Sequence, residues 1–316
     1  MTTRIFFATD IHGSELCFKK FVAAARFYST NVLILGGDIT GKLMIPIAKA
    51  GPDSFNSQLR GQLYTLRGPV ELRRYQERLQ NLGLYYYIAD QSELTSLQSD
   101  PERVAELFRS AMIERLGRWL SYAEHKLADQ GVQCYIMPGN DDDYCIDRVL
   151  ESGTVVQNPD GRVIRIDDTH DVFFCGLGNP SPFRTYRERT EDELAALLEQ
   201  QVAHISDFQR SIFCIHVPPY ASGLDLCPVL DKDLHYVKKA GQILMAPAGS
   251  VAVRQLIERY QPLLGLHGHI HESRGYSRIG RTLCVNPGSS YTDGILNGCL
   301  ITLSTPDSVD FQLTAG

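Results

Sequence analysis

The sequence predicts an α/β fold in which buried strands alternate with helices. Three observations carry that expectation. Short apolar runs recur along the chain, at Ile5–Ala8, Val32–Leu35, Val132–Met137, Ser211–Ile215 and Pro262–Leu266. Each is followed closely by Asp, Asn or His, the placement expected where a site lies outside the carboxyl ends of strands. Amphipathic helical stripes separate several of these runs, and the one starting at Asp100-Pro101 is long enough to cross between two parallel strands.

Composition narrows the class. The 316 residues suffice for one large domain or two ordinary ones. At 43% hydrophobic and 22% charged residues, the chain resembles an ordinary globular protein. Its formal net charge of -6 argues against a chain built mainly to grip nucleic acid, although a local basic patch stays open. No apolar run approaches the roughly 18 residues needed to span a bilayer. The first apolar run meets Asp10 too early for a signal peptide, so a cytoplasmic protein with no membrane partner is expected. Cys134, Cys175, Cys214 and Cys284 lie in strand-like runs, and no CxxC pair occurs, which points to reduced core cysteines.

The elements follow in order. The first strand ends at Asp10-Ile11-His12, and residues two apart in extended backbone face the same side. Ser14 is a fitting N-cap for a helix carrying Cys17, Phe21, Ala24, Ala25 and Tyr28. The second strand ends at Gly36-Gly37-Asp38, where the glycines allow a close backbone approach; taken alone, this Asp reads as a turn residue.

Residues 41–130 read as an insertion or cap. Within it, Gln62–Leu66 alternates like a strand, Val70–Leu82 is helical and Gly83–Ile88 is strand-like. Its tyrosines either line a substrate pocket or only pack the insertion. Asp100 as N-cap and Pro101 at the first helical position start the long helix, which runs towards Gly131.

The strand at Val132–Met137 ends at Gly139-Asn140-Asp141-Asp142-Asp143, and three successive acids repel one another unless a cation is near. Arg162–Ile166 and Val172–Cys175 form a hairpin whose turn carries His170. The loop from Gly176 to Arg189 holds Arg184 and Arg187, which either reach a phosphate or are simply solvated. Thr190 and Glu193 make a capping box for the next helix. His216 follows the strand at Ser211–Ile215.

The last ligand-rich stretch is His267-Gly268-His269-Ile270-His271. By alternation His269 and His271 aim two imidazoles at one place, and neutral imidazole suits Zn, Fe and Ni. His267 shares their side and is read as a packing or supporting residue. Asn286 before Pro287-Gly288 orders a turn, and two further strands lie near 297–303 and 308–313.

Taken together, Asp10-Ile-His12, Gly36-Gly37-Asp38, Gly139-Asn140-Asp141-Asp142, His216 and Gly268-His269-Ile270-His271 resemble the motif series of the calcineurin-like metallophosphoesterases. The motifs run almost the length of the chain, so 1–316 is expected to be one such domain with the insertion at 41–130. The resemblance implies a four-layer α/β/β/α sandwich of two mixed sheets packed face to face, with helices outside. It also implies a dinuclear site. Asp10, His12 and His271 would hold one metal, Asn140, His216 and His269 the other, with Asp38 bridging. This carboxylate, imidazole and amide set suits Mn, Fe, Zn or Ni. The implied reaction is hydrolysis of a phosphoester, from a small phosphorylated or phosphodiester substrate, by a metal-bridging hydroxide.

One position departs from the family pattern. The residue after Gly-Asn is usually His, which contacts the phosphate and protonates the leaving group; here it is Asp141. An ionised Asp donates no proton and repels a phosphate. The expectation is therefore a preference for phosphodiesters or for esters with good leaving groups. Asp141 and Asp142 are the candidate catalytic residues, Asp142 in a role orienting a ligand, and Asn140, Arg184 and Arg187 the candidate substrate contacts. Two rival readings remain. A nuclease would need a basic groove, and a non-catalytic scaffold should lack a ligand, whereas every ligand position here is filled.

Overall fold

The structure is a computed structural model that describes residues 2–305 and 308–316. In chain order its first elements are β1 (Thr3–Ala8), α1 (Glu15–Phe27), β2 (Val32–Gly36), β3 (Met44–Gly51), β4 (Ser54–Leu59), β5 (Gln62–Arg67), α2 (Gly68–Asn81) and β6 (Tyr85–Asp90). Next come α3 (Gln91–Leu97), α4 (Pro101–Leu127), β7 (Gln133–Met137), α5 (Asp147–Glu151), β8 (Val156–Gln157), β9 (Val163–Arg165), β10 (Asp171–Cys175), α6 (Glu191–Val202) and β11 (Ser211–Ile215). The chain continues through β12 (Leu226–Pro228), β13 (Lys238–Lys239), β14 (Gln242–Ile243), β15 (Met245–Pro247) and α7 (Val251–Tyr260). It closes with β16 (Leu264–Leu266), β17 (Gly275–Ile279), β18 (Thr282–Asn286), β19 (Asn297–Thr305) and β20 (Ser308–Ala315).

Two six-stranded mixed sheets dominate, ordered β20-β19-β1-β2-β7-β8 and β17-β18-β16-β11-β10-β9. Strand alternation divides their side chains between layers. Ile5, Phe7, Val32 and Ile34 from the first sheet meet Phe174, Ile212, Leu266 and Val285 from the second. The intervening residues Phe6, Leu33, Leu35 and Ile136 turn outward onto α1 and α4. On the far side Phe173, Phe213 and Ile215 pack on Leu194, Leu198, Leu256 and Ile257 of α6 and α7. The result is the α/β/β/α sandwich. Each buried Leu, Ile or Phe in these layers stabilises it by about 1.5–3 kcal/mol.

The capping signals work as the sequence suggests. Ser14 accepts from the Cys17 amide at the start of α1, Asp100 caps α4, and Thr190 with Glu193 forms the capping box of α6.

The stretch read as an insertion divides in two. Residues 44–90 build a separate sheet, ordered β5-β4-β3-β6, with α2 packed on one face through Tyr75 and Leu79. The C-terminal half of α4 belongs instead to the main core, through Met112, Leu116, Trp119, Leu120 and Leu127. Its Arg115 donates to the carbonyls of Gly13 and Leu84, which fastens the extra sheet to the loop after β1. All eight cysteines are unpaired thiols. No helix among the described residues is long and apolar enough to cross a membrane.

Candidate metal centre

The parallel strands β1, β2 and β7 of one sheet and β11 and β16 of the other carry the site at their carboxyl ends. The loops that follow these strands converge. Asp10, His12, Asp38, Asn140, His216 and His267 are all at most 3% exposed. Asp10, His12 and His271 present donor atoms within 4.8 Å of one another, as do Asp38, His216 and His269. A third such group joins His12, Asp38 and Asp141.

Asp38 stands between the two main groups. Its Oδ2 lies 3.8 Å from His12 Nε2 and its Oδ1 lies 3.4 Å from His216 Nε2. Each carboxylate oxygen thus faces a different set of ligands.

Backbone geometry produces this convergence. Asp10, His12, Asp38 and His269 all sit at positive φ, with values of 54°, 39°, 51° and 66°. Asp and His are among the few side chains that tolerate the left-handed region. The local turns correct one expectation from the sequence. Simple alternation would aim His269 and His271 at one point, but the chain has left extended geometry at His269. Their rings therefore separate, His271 towards Asp10 and His269 towards Asp38. Glycine is required where loops touch. A Cβ on Gly139 would strike the Asp38 carboxylate, and one on Gly37 would strike the His216 ring.

The donor set fits cations. Asn140 donates its amide NH2 to Thr185 Oγ1 at 2.8 Å, and its buried Oδ1 has no partner. His216 Nδ1 pairs with the Gly36 carbonyl at 2.8 Å, which directs Nε2 at Asp38 and Asp10. His12 Nε2 and His271 Nε2 lie 3.0 Å apart, two ring nitrogens facing one point. Burial pushes His12 well below the usual imidazole range and takes His269 down to about 4, so both are neutral and ready to bind metal. Burial alone would raise Asp38, but His216 beside it outweighs that and holds its carboxyl well below the usual range.

A curated relative covers much of this framework. The uncharacterized protein MJ1162 of Methanocaldococcus jannaschii is 33% identical over 181 residues, which are 56% of this chain and 69% of that protein. The chain and that protein belong to one family. No family model matches this chain. Among solved structures, TT1561 of Thermus thermophilus is similar over 100% of this chain and 99% of its own, at 14% identity and a TM-score of 0.52. Another crystal structure is similar over 99% of both chains, at 14% identity and a TM-score of 0.57. These two likenesses concern the fold.

Around this cluster, the remaining candidates take different places. Asp141 lies beside Asp38, with its amide donating to Asp38 Oδ1 at 3.0 Å. Its carboxylate is paired with the Lys42 ammonium. The expectation that Asp141 repels a phosphate is corrected by this partner, which offsets the charge. Asp142 is fully buried and makes no direct approach to a substrate. Its carboxylate accepts from the amides of Ile39, Thr40 and Gly139 and from Thr40 Oγ1. It is a positioning residue that ties the Asp38 loop to the Asn140 loop.

Arg187 is also corrected. Its guanidinium is buried, donates to the carbonyls of Asp142 and Asp143, and pairs with Asp147. A side chain so committed braces the Asn140 loop and does not reach a phosphate. Arg184 is exposed, at a φ of 51°, with no placement at the cluster. His267 pairs through Nδ1 with the Ile215 carbonyl and lies outside the ligand groups. Asn286 donates to the carbonyls of Leu224, Gly268 and Ile270, and so fixes the loop that carries His269.

The sequence reading missed Lys42 and Tyr291. Lys42 lies four residues beyond Asp38, in a stretch without periodicity, where position alone was the signal. Tyr291 places its ring 4.9 Å from His12 and 6.0 Å from His271. No motif marks it.

Proposed function

We propose that this chain is a calcineurin-like metallophosphoesterase that hydrolyses phosphoesters, with phosphodiesters the preferred class, when loaded with two divalent transition-metal ions. One observation carries the reading: the two oxygens of Asp38 face separate groups of imidazole and carboxylate donors. Asp10, His12 and His271 would hold one ion, and Asn140, His216 and His269 the other, with Asp38 shared. The donors suit Mn, Fe, Zn or Ni better than Ca. Bound there, the ions would activate water and neutralise charge on the phosphoryl oxygens.

The chain's own residues set the geometry. Gly36 fixes the His216 ring through its carbonyl, and Thr185 fixes the Asn140 amide. Asp142 locks the two loops that present Asp38 and Asn140. Lys42 brings a cation to the position where the family usually has His, and its ammonium attracts a phosphoryl oxygen. Asp141 donates no proton in its ionised form, which favours diesters and esters with good leaving groups.

The test is a screen of metal-reconstituted protein against bis-p-nitrophenyl phosphate, p-nitrophenyl phosphate, cyclic nucleotides and DNA. Metal-dependent turnover, fastest on the diester, is expected, and Asp38→Ala should abolish it. A chain that retains no cation and turns over none of the four would be a scaffold on this fold. Best activity on alkyl monoesters would overturn the diester preference.

A further inference from the structure

The extra sheet has a second face that α2 does not cover. Alternation turns Ile47, Leu59 and Leu66 towards α2 and leaves Met44, Pro46 and Ala48 on the opposite side. There α3 and the first turns of α4 roof a cleft of about 410 Å³, with Leu97 and Leu107 among the side chains that line it. This volume lies within the range of about 300–1,000 Å³ typical of small-molecule sites. Every described residue lining it is uncharged. Leu63, at its rim, is 79% exposed.

One wall of the cleft leads to the candidate metal centre. Met44, the first residue of β3, lines the cleft, and Lys42, two residues earlier in the loop before it, meets Asp141. Two residues of chain span at most about 7 Å. The cleft thus begins beside the loop Gly139–Asp143.

We infer that this cleft is a substrate subsite for an uncharged, predominantly apolar ester arm, an aliphatic or aryl alcohol carried on the phosphodiester. The inference rests on the phosphodiesterase reading above. Three features favour this occupant. An all-neutral lining disfavours a second phosphate or a charged sugar, which would lose hydration without gaining a partner. An apolar arm would instead remove Leu63, Met44 and Leu107 from water. Continuity with Lys42 and Asp141 places the phosphate end at the metal ligands.

The test compares methyl, butyl and hexyl p-nitrophenyl phosphodiesters on the metal-loaded full chain. The value of kcat/KM is expected to rise at least tenfold from methyl to hexyl, since full burial amounts to roughly fourfold per methylene. In Leu63→Asp and Val104→Asp, both at partly exposed positions, the hexyl-to-methyl ratio should fall at least tenfold, with unchanged circular dichroism confirming folding. Nile red, a neutral apolar dye, should bind metal-free protein and be lost in both variants. Turnover that is flat with chain length, or a ratio that both folded variants preserve, overturns the subsite alone. Absence of turnover on all three diesters overturns the phosphodiesterase reading itself. A dimer in sedimentation that Leu63→Asp splits would assign the cleft to a second copy and also overturn the inference.

Discussion

The ammonium of Lys42 rests on the carboxylate of Asp141 at the edge of the metal-ligand cluster. This pairing brings a cation from the loop after β2 to an acid on the loop after β7. Removing Lys42 leaves the Asp141 charge facing an incoming phosphate. Lys42→Ala should therefore lower kcat/KM on bis-p-nitrophenyl phosphate by about 10-fold to 100-fold, mostly through KM. Asp141→Asn in the same chain should restore part of the loss. A double-mutant cycle measures it, and additive effects would show that the pair does not act together.

Asp142 should matter to metal affinity although it belongs to none of the candidate ligand groups. Asp142→Ala strands three buried amides and the Thr40 hydroxyl. The expected loss is about 2–4 kcal/mol of stability and a 10-fold to 100-fold weaker metal affinity. Urea unfolding and metal titration measure the two quantities. Unchanged metal affinity in a folded variant would rule out its positioning role.

Arg187 makes the complementary case. Its guanidinium is buried while its partner Asp147 is one-third exposed, so solvent screens part of the pair. Arg187→Ala should cost about 2–4 kcal/mol of stability by leaving two carbonyls and Asp147 unpaired. Full stability with lost substrate affinity, read from denaturation and KM, would return Arg187 to the substrate contacts.

Asp167 ties the two sheets together at an edge. Its carboxylate accepts from Thr3 Oγ1 of β1 at 2.6 Å and from the amides of Thr169 and His170 in the β9–β10 turn. Burial would raise its carboxyl, but these donors outweigh it and hold the group well below the usual range. A depressed folded-state value stabilises the protein above the unfolded pKa near 4, and that contribution is lost as pH falls below it. Asp167→Asn should cost about 1–3 kcal/mol near pH 7 and flatten the acid limb of stability between pH 4 and 2. An unchanged acid limb would show that another carboxylate governs it.

How much was legible follows from what each residue type advertises. The strands ending at Asp10, Asp38, Asn140, His216 and His269 were readable because apolar runs gave way abruptly to ligand-type residues. The extra sheet was half readable. β5 and β6 alternate or carry aromatics, but β3 (MIPIAKAG) and β4 (SFNSQL) place Pro46 and Asn56 at positions that border an open cleft. A strand buried on one side and facing a cleft on the other has a weak period-two signal. Arg184 and Arg187 are three residues apart in the same loop, yet one is solvated and the other buried. Only their neighbours distinguish them, and those lie about forty residues away in sequence, at Asp143 and Asp147. The separate directions of His269 and His271 were hidden for a related reason, since spacing assumes a straight strand and the chain turns there.

The left-handed backbone at Asp10, His12, Asp38 and His269 has a consequence for engineering. Such positions each cost about 1–3 kcal/mol unless the residue suits them, and glycine suits them best. Libraries selected for heat resistance alone would thus drift towards glycine at four ligands at once. The most thermostable descendants would be enriched in chains that bind no metal. Any such campaign needs a metal-retention screen beside the thermal one.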